Sequence, residues 1–284
     1  VAGVRRGGEM PCLEYLAQDG RDDTQQLGEQ LRALTGSLDI GGRRAVMALP
    51  HTAYQLLQIE APDVDPAELR AAVRWRIKDL IDYHVEDAVV DVIDVPQPEG
   101  RSGGHSMYAL AARRNDVRAY ADAAEGAGLD VEAVDVAEMA LRNIAELAPE
   151  QGGGLAVAAL AARGGLIVIS RGETLYLARH LEYGAEGLTS EPEVYGDSLA
   201  LEMQRSLDYY ESQLSAAPAS RVLLAPFGSD RSAVLDMLQE QLPVPCAGLS
   251  VDQVMDIAEG VEHPADYATL LALGAALRQE QRSL

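Results

Sequence analysis

Asp65-Pro66-Ala67-Glu68-Leu69-Arg70-Ala71-Ala72-Val73-Arg74-Trp75-Arg76-Ile77-Lys78-Asp79-Leu80-Ile81 decides how this chain is organised. Its first four residues are helix-start signals: Asp at the N-cap, Pro at the first helical position and Glu at the third. Leu69, Val73, Ile77 and Leu80 then recur at helical spacing and draw one apolar stripe to about Ile81. Upstream, Tyr54–Ile59 reads as a strand stopped by Glu60-Ala61-Pro62. Downstream, Val89–Val95 and Met107–Ala112 read as strands around the Gly- and Pro-rich loop Pro96–Ser106. Residues 51–112 therefore spell strand, helix, strand, strand.

The same vocabulary extends both ways. Val1–Arg6 and Pro11–Ala17 form a hairpin signal around Gly7-Gly8, and Asp22-Asp23-Thr24 caps a helix running to about Leu34, with Gly36 at its end. Ala45–Leu49 is a short strand, Asn115 or Asp116 caps a helix to Ala124, Leu129–Val136 is a strand and Ala137–Leu147 a helix. Pro149-Glu150-Gln151-Gly152-Gly153-Gly154 is the best boundary signal, dividing the chain into halves at 1–148 and 149–284. The second half reads as strands at Leu155–Leu160, Leu166–Ser170 and Thr174–His180, then a helix from Asp197 to Leu214 with Leu199, Met203, Leu207, Tyr210 and Leu214 inward. A strand at Arg221–Ala225 and helices at Asp230–Leu242, Ser250–Ala258 and Ala265–Gln281 complete it. Both halves follow the order hairpin, strand, helix, strand, helix. This is an α/β pattern, in which a ligand is expected between the halves by analogy with other α/β folds.

Composition narrows the function. The 284 residues suit one large or two ordinary domains. Forty-five acidic residues against 23 basic ones leave a net charge of −22, which opposes a nucleic-acid partner. Two cysteines, Cys12 and Cys246, build neither a disulfide framework nor a four-cysteine zinc site. His51, His84, His105, His180 and His263 are scattered without ligand spacing, and neither Ser170 nor Ser206 has a nucleophile-elbow pattern. The apolar stretches Gly152–Ala162 and Tyr267–Leu277 fall short of the roughly 20 residues a membrane span needs, and no signal peptide is read. The expected location is a reducing cytoplasm.

An ordered set of segments resembles a known family. Arg74-Trp75-Arg76-Ile77-Lys78-Asp79-Leu80-Ile81-Asp82-Tyr83 followed by Val85-Glu86-Asp87-Ala88-Val89-Val90-Asp91 looks like the helix-to-strand segment of PilM-type pilus-assembly proteins. Ala111-Ala112-Arg113-Arg114, Ala127-Gly128-Leu129 and Val134-Asp135-Val136 continue the likeness. Leu201-Glu202-Met203-Gln204-Arg205-Ser206-Leu207-Asp208-Tyr209-Tyr210-Glu211-Ser212 and Leu273-Gly274-Ala275-Ala276-Leu277-Arg278 follow in order. The nearest branch is MshI, of mannose-sensitive hemagglutinin (MSHA) pilus biogenesis. The resemblance implies an actin-like ATPase (ribonuclease H-like) fold of two lobes. The first lobe would be 1–148 with its small subdomain at about 51–112, and the second 149–284; there the chain departs from the family, because the short connection from about His180 to Asp197 leaves its helical subdomain reduced. The helix at 265–281 would pack back on the first lobe. The resemblance also implies a place at the cytoplasmic face of the inner membrane. There the protein would hold the tail of a bitopic PilN-like protein, meet other pilus platform proteins, and reach the membrane only through partners.

The chemistry implied by that fold is thinly represented. Actin-like ATPases cradle phosphates on two glycine-containing hairpins and organise Mg²⁺ through Asp carboxylates. Here the first hairpin offers Gly7 and Gly8 with no preceding Asp, and the second, Ala159-Leu160-Ala161-Ala162-Arg163-Gly164-Gly165, again lacks one. Arg163 is a phosphate contact or a solvated turn residue. Glu202, Arg205 and Ser206 share one helix face with Tyr209 and resemble ribose and adenine contacts, or they are an ordinary surface pair. Gly228 stands in a turn where relatives carry three glycines, and the adjacent Pro226 and Phe227 oppose close nucleotide approach. The expectation is a degenerate site that performs no catalysis, with an ATP-binding conformational switch of the same fold as the alternative; ATP is the cofactor to consider, and Mg²⁺ lacks its ligands. Arg74, Trp75 and Arg76 are the candidate partner-binding residues. Trp75 lies far round the helix from the apolar stripe, as a contact surface or packed against a neighbouring domain.

Overall fold

The computed structural model describes residues 1–8, 10–19, 26–96, 105–148, 152–214, 217–227, 231–262 and 266–279. In chain order they form β1 (Ala2–Arg5), β2 (Cys12–Leu16), α1 (Leu27–Leu38), β3 (Arg44–Ala48), β4 (Tyr54–Glu60), α2 (Leu69–Ile77), β5 (Ala88–Asp94) and β6 (Ser106–Arg113). α3 (Arg114–Gly126), β7 (Asp130–Asp135), α4 (Ala137–Leu147), β8 (Gly154–Leu160), β9 (Gly165–Arg171), β10 (Thr174–Leu181), α5 (Ala185–Ser190) and α6 (Pro192–Tyr209) follow. β11 (Ala219–Leu224), α7 (Ser232–Gln241), β12 (Cys246–Gly248), β13 (Asp256–Ile257) and α8 (Tyr267–Ala276) complete the order. Two compact units emerge, one of Val1–Leu16 with Glu138–Leu284 and the other of Ala17–Ala137.

In the second of these units, β4, β6 and β5 form an antiparallel sheet in that order, with Leu57 opposite Ala109 and Val90 opposite Ala111. Side chains two apart on a strand share a face. Ile59, Met107, Ala109, Ala111, Ala88 and Val90 thus meet Val73 and Ile77 of α2 in one core. Burying Val73 and Ile77 completely contributes about 1.5–3 kcal/mol each. The strand, helix, strand, strand reading of 51–112 is therefore realised, but α2 stops at Ile77. Leu80 N–H bonds to the Ile77 carbonyl at 2.9 Å in a tighter turn, which swings Leu80 out to 56% exposure and turns Ile81 in. Asp65-Pro66 makes the turn before the helix, with Glu68 N–H on the Asp65 carbonyl. β3 and β7 pair in parallel beside α1 and α3. α1 runs through Gly36 to Leu38, where Asp39 adopts the left-handed conformation at φ 51°. The expected cap Asp22-Asp23-Thr24 lies outside the described residues.

The other unit holds a five-stranded sheet in the order β10-β9-β8-β11-β12. β8, β9 and β10 are antiparallel neighbours, while β11 runs parallel to both β8 and β12. β8 and β9 are buried almost throughout, as strands covered on both faces must be. The α6 stripe of Leu199, Met203, Leu207, Tyr210 and Leu214 is buried as its spacing requires, with Tyr210–Leu214 in a π-helical turn. α6 starts at Pro192, not Asp197, because proline suits the first helical turn, and α5 occupies part of what reads as a plain connection. β12 is hidden in the sequence by the prolines beside it.

The helix expected at Ser250–Ala258 is instead a short 3₁₀ turn at Val251–Gln253 followed by β13, which pairs in parallel with β2. Val251, Val254 and Met255 are buried at a spacing that mimics a helix. The ladder wins because Asp256 N–H and Ala258 N–H reach the Pro11 and Leu13 carbonyls at 2.9 Å each. α8 is capped by the Asp266 side chain accepting from Thr269 N–H at 2.8 Å, and it gives way at Leu277. It packs on β1 and on α4. A Cβ at Gly274 would stand 2.1 Å from the Ala140 carbonyl oxygen, so only glycine permits this approach.

Candidate functional site

The β8–β9 turn is built by its own carbonyls. Ala161 N–H donates to Gly164 at 2.8 Å, while the carbonyls of Ala161 and Ala162 accept from Ala185 N–H and Glu186 N–H at 2.8 and 2.9 Å. The first backbone donors of α5 are thereby spent on the turn. Gly184 makes this possible, since a Cβ there would lie 2.1 Å from the Ala161 oxygen. Gly165 is buried against Leu160, and Arg163 is exposed and paired with Glu186 at 3.1 Å. Gly7 and Gly8 sit exposed in the β1–β2 connection, with Gly7 at φ 129°. Gly228 lies outside the described residues.

On α6, Glu202 receives Arg179 Nη1 from β10 at 2.7 Å and Arg205 Nη1 at 2.8 Å. The Arg179 hydrogen bond, then that of Arg205, holds the Glu202 carboxyl below the usual glutamate value. Ser206 is fully buried and donates to the Glu202 carbonyl at 2.7 Å, so it does not share the exposed face that its spacing suggests. Burial, with Glu202 adding to it, pushes the nearby Tyr183 phenol up to about 12. Arg179 was not legible beforehand, because its partner lies 23 residues away.

Arg231 is the other unforeseen member. Its Nη1 donates to the Leu224 and Leu249 carbonyls at 2.8 and 2.7 Å, and its guanidinium lies against Gly248, where a Cβ would be 2.6 Å from Nη2. It thus sits at the carboxyl ends of the parallel strands β11 and β12, the edge where open α/β sheets receive ligands. Burial lowers its pKa. In the same unit, His180 Nε2 stands 2.7 Å from the fully buried Glu138 carboxylate. Among the described residues no group of three or more His, Cys, Asp or Glu side chains could hold a metal ion.

The α2 face is a separate place. Trp75 is 71% exposed, with Lys78 Nζ over its ring at 5.2 Å. Arg76 is tied down, its Nη1 on the Glu60 carbonyl at 2.9 Å. Arg74 reaches the Ala88 carbonyl at 3.4 Å. The structure therefore brings Glu202 and Arg205 together with Arg179, turns Ser206 into the core, and sets Arg74, Trp75 and Arg76 on another element in the other unit.

A family model described as type IV pilus assembly protein PilM matches residues 13–196. Among solved structures, the PilM–PilN type IV pilus biogenesis complex superposes with a TM-score of 0.73 at 22% identity, over 98% of this chain and 95% of that one. The cytoplasmic domain of EpsL, an inner-membrane component of the Vibrio cholerae type II secretion system, gives 0.46 at 14% identity over 89% and 82%. A Bacteroides thetaiotaomicron protein with an actin-like ATPase fold and unknown function gives 0.48 at 11% over 96% and 94%. No curated protein matches.

Proposed function

Because this chain belongs to the type IV pilus assembly protein PilM family, we propose that it is a scaffold of a pilus assembly platform, built on an actin-like ATPase fold, that does not hydrolyse ATP. It works at the cytoplasmic face of the inner membrane, holding the tail of a bitopic PilN-like protein and meeting other platform proteins. The observation that carries the reading is the family match across residues 13–196. No helix among the described residues is long and apolar enough to cross a membrane. The MSHA-type branch is the finer assignment, supported by the ordered segments from Arg74 to Arg278.

The nucleotide site is degenerate in this reading, and a magnesium triphosphate does not fit the residues present. The β8–β9 turn and the first donors of α5 satisfy each other. The Glu202 carboxylate is engaged by two guanidiniums, and Arg231 is tied to the Leu224 and Leu249 carbonyls at the strand ends. Phosphoryl transfer depends on charge neutralisation by the metal, and neither glycine turn carries an Asp to organise one.

Co-expression with the N-terminal tail of its PilN-like neighbour is expected to yield one complex on size exclusion. Trp75→Ala is expected to weaken that complex while moving the melting temperature by no more than about 2 °C, as exposed positions do. Failure to co-purify sinks the scaffold reading. Mg-ATP hydrolysis above background, lost in Glu202→Gln, establishes an ATP-dependent switch instead.

A further inference from the structure

We propose that Arg74, Arg114 and Arg118, beside Trp75 and Lys78, form a docking surface for an acidic segment of a partner protein. The inference deepens the scaffold reading and rests on it. It begins with an imbalance of pairing on the small subdomain. Arg70, Arg76 and Arg113 each have a carboxylate, from Asp91, Glu60 and Asp82 at 3.3, 3.6 and 3.3 Å. Arg74 and Arg114 have none among the described residues, in a chain with almost two acids for every base.

Instead the two guanidiniums converge on one backbone oxygen. Arg74 Nη2 lies 3.4 Å and Arg114 Nη2 3.3 Å from the Ala88 carbonyl, and Arg114 also reaches the Glu86 carbonyl at 3.4 Å. These are long hydrogen bonds, and a guanidinium has five N–H donors. Two like charges held beside a single neutral oxygen repel each other, and an anion set between them removes that repulsion while accepting the unused donors. Arg118 follows Arg114 by one turn of α3, is exposed, and has no carboxylate partner among the described residues. Lys78 follows Arg74 by one turn of α2 and stacks on Trp75. Exposed tryptophan beside arginine is the composition of a protein-binding hot spot.

The neighbours select the kind of anion. Asp79, Asp82, Glu86 and Asp87 follow Arg74 and Lys78 closely in the chain and are exposed, with Asp82 paired to Arg113. A membrane presents a continuous negative plane that meets these carboxylates as well as the arginines. An acidic segment narrow enough to follow the arginines meets fewer of those carboxylates, which favours a peptide as the occupant.

Trp75 is the only tryptophan, so its emission reports binding without a label. The full chain is titrated with decaglutamate, with decaglutamine as the uncharged control. Decaglutamate is expected to bind, more weakly as salt rises, and decaglutamine not at all. Arg74→Gln with Arg114→Gln is expected to weaken binding about tenfold. Since these two side chains also brace the Ala88 carbonyl, Arg118→Gln serves as the variant that disturbs no hydrogen bond among the described residues, with a loss of about threefold. Equal affinity in all variants overturns the proposal. So does binding to phosphatidylglycerol vesicles without binding to decaglutamate. Low-salt self-association abolished by Arg74→Gln with Arg114→Gln overturns it too, because the occupant is then a second copy. A chain that binds decaglutamate through these arginines yet releases the PilN-like tail keeps the surface and loses the scaffold reading. A chain that holds the tail and ignores decaglutamate does the reverse.

Discussion

Glu202 is held between two arginines, and that single fact sets its pH behaviour. Its carboxyl titrates below the ordinary 4.5, chiefly through the Arg179 hydrogen bond. The folded chain favours the ionised form, so the contribution to stability is present above 4.5 and is lost as pH falls through the lower folded-state value. The melting temperature of the parent chain is therefore expected to exceed that of Glu202→Gln near neutrality, and the difference to shrink on acidification below 4.5. A difference independent of pH removes the ion pair from the account. The i, i+3 pair of Glu202 and Arg205 was visible in the sequence, but Arg179 enters only because β10 runs beside α6. Arg231 and the convergence of Arg74 with Arg114 were equally invisible, since each depends on backbone carbonyls that carry no residue signature.

At the scale of the element, α2 shows what a periodic stripe does and does not say. Val73 and Ile77 are fully buried and Leu80 is not, although all three belong to one spacing. Ile77→Ala is expected to destabilise by about 2–5 kcal/mol in denaturant unfolding, through the transfer and cavity terms. Leu80→Ala is expected to stay within about 0.5 kcal/mol, as surface changes do. Comparable losses would mean that Leu80 is part of the core. The small subdomain was legible because helix and strands there are each amphipathic and adjacent in sequence. Residues 250–258 were not, because an apolar spacing of three and four residues also serves a turn that precedes an edge strand.

For the whole molecule, the test is whether a nucleotide stabilises it. A ligand that binds only the folded chain at a hundred times its dissociation constant adds about 2.7 kcal/mol. Millimolar Mg-ATP is expected to leave the melting temperature unchanged, measured by differential scanning calorimetry. A rise that depends on magnesium would reinstate the phosphate turns as a working site.

The amino-acid sequence by itself determined the α/β character, the small strand, helix, strand, strand subdomain, the buried stripe of α6 and the absence of Asp from the glycine turns. These are properties of neighbouring residues, written in spacing and side-chain type. Only the tertiary structure decided that β13 joins β2, that Arg179 clamps Glu202, that Arg231 bridges the carbonyls of Leu224 and Leu249, and that Arg74 and Arg114 share one oxygen. Each of these requires groups far apart in the chain to exchange water for one another, and the free energy of that exchange depends on a geometry that local patterns do not encode.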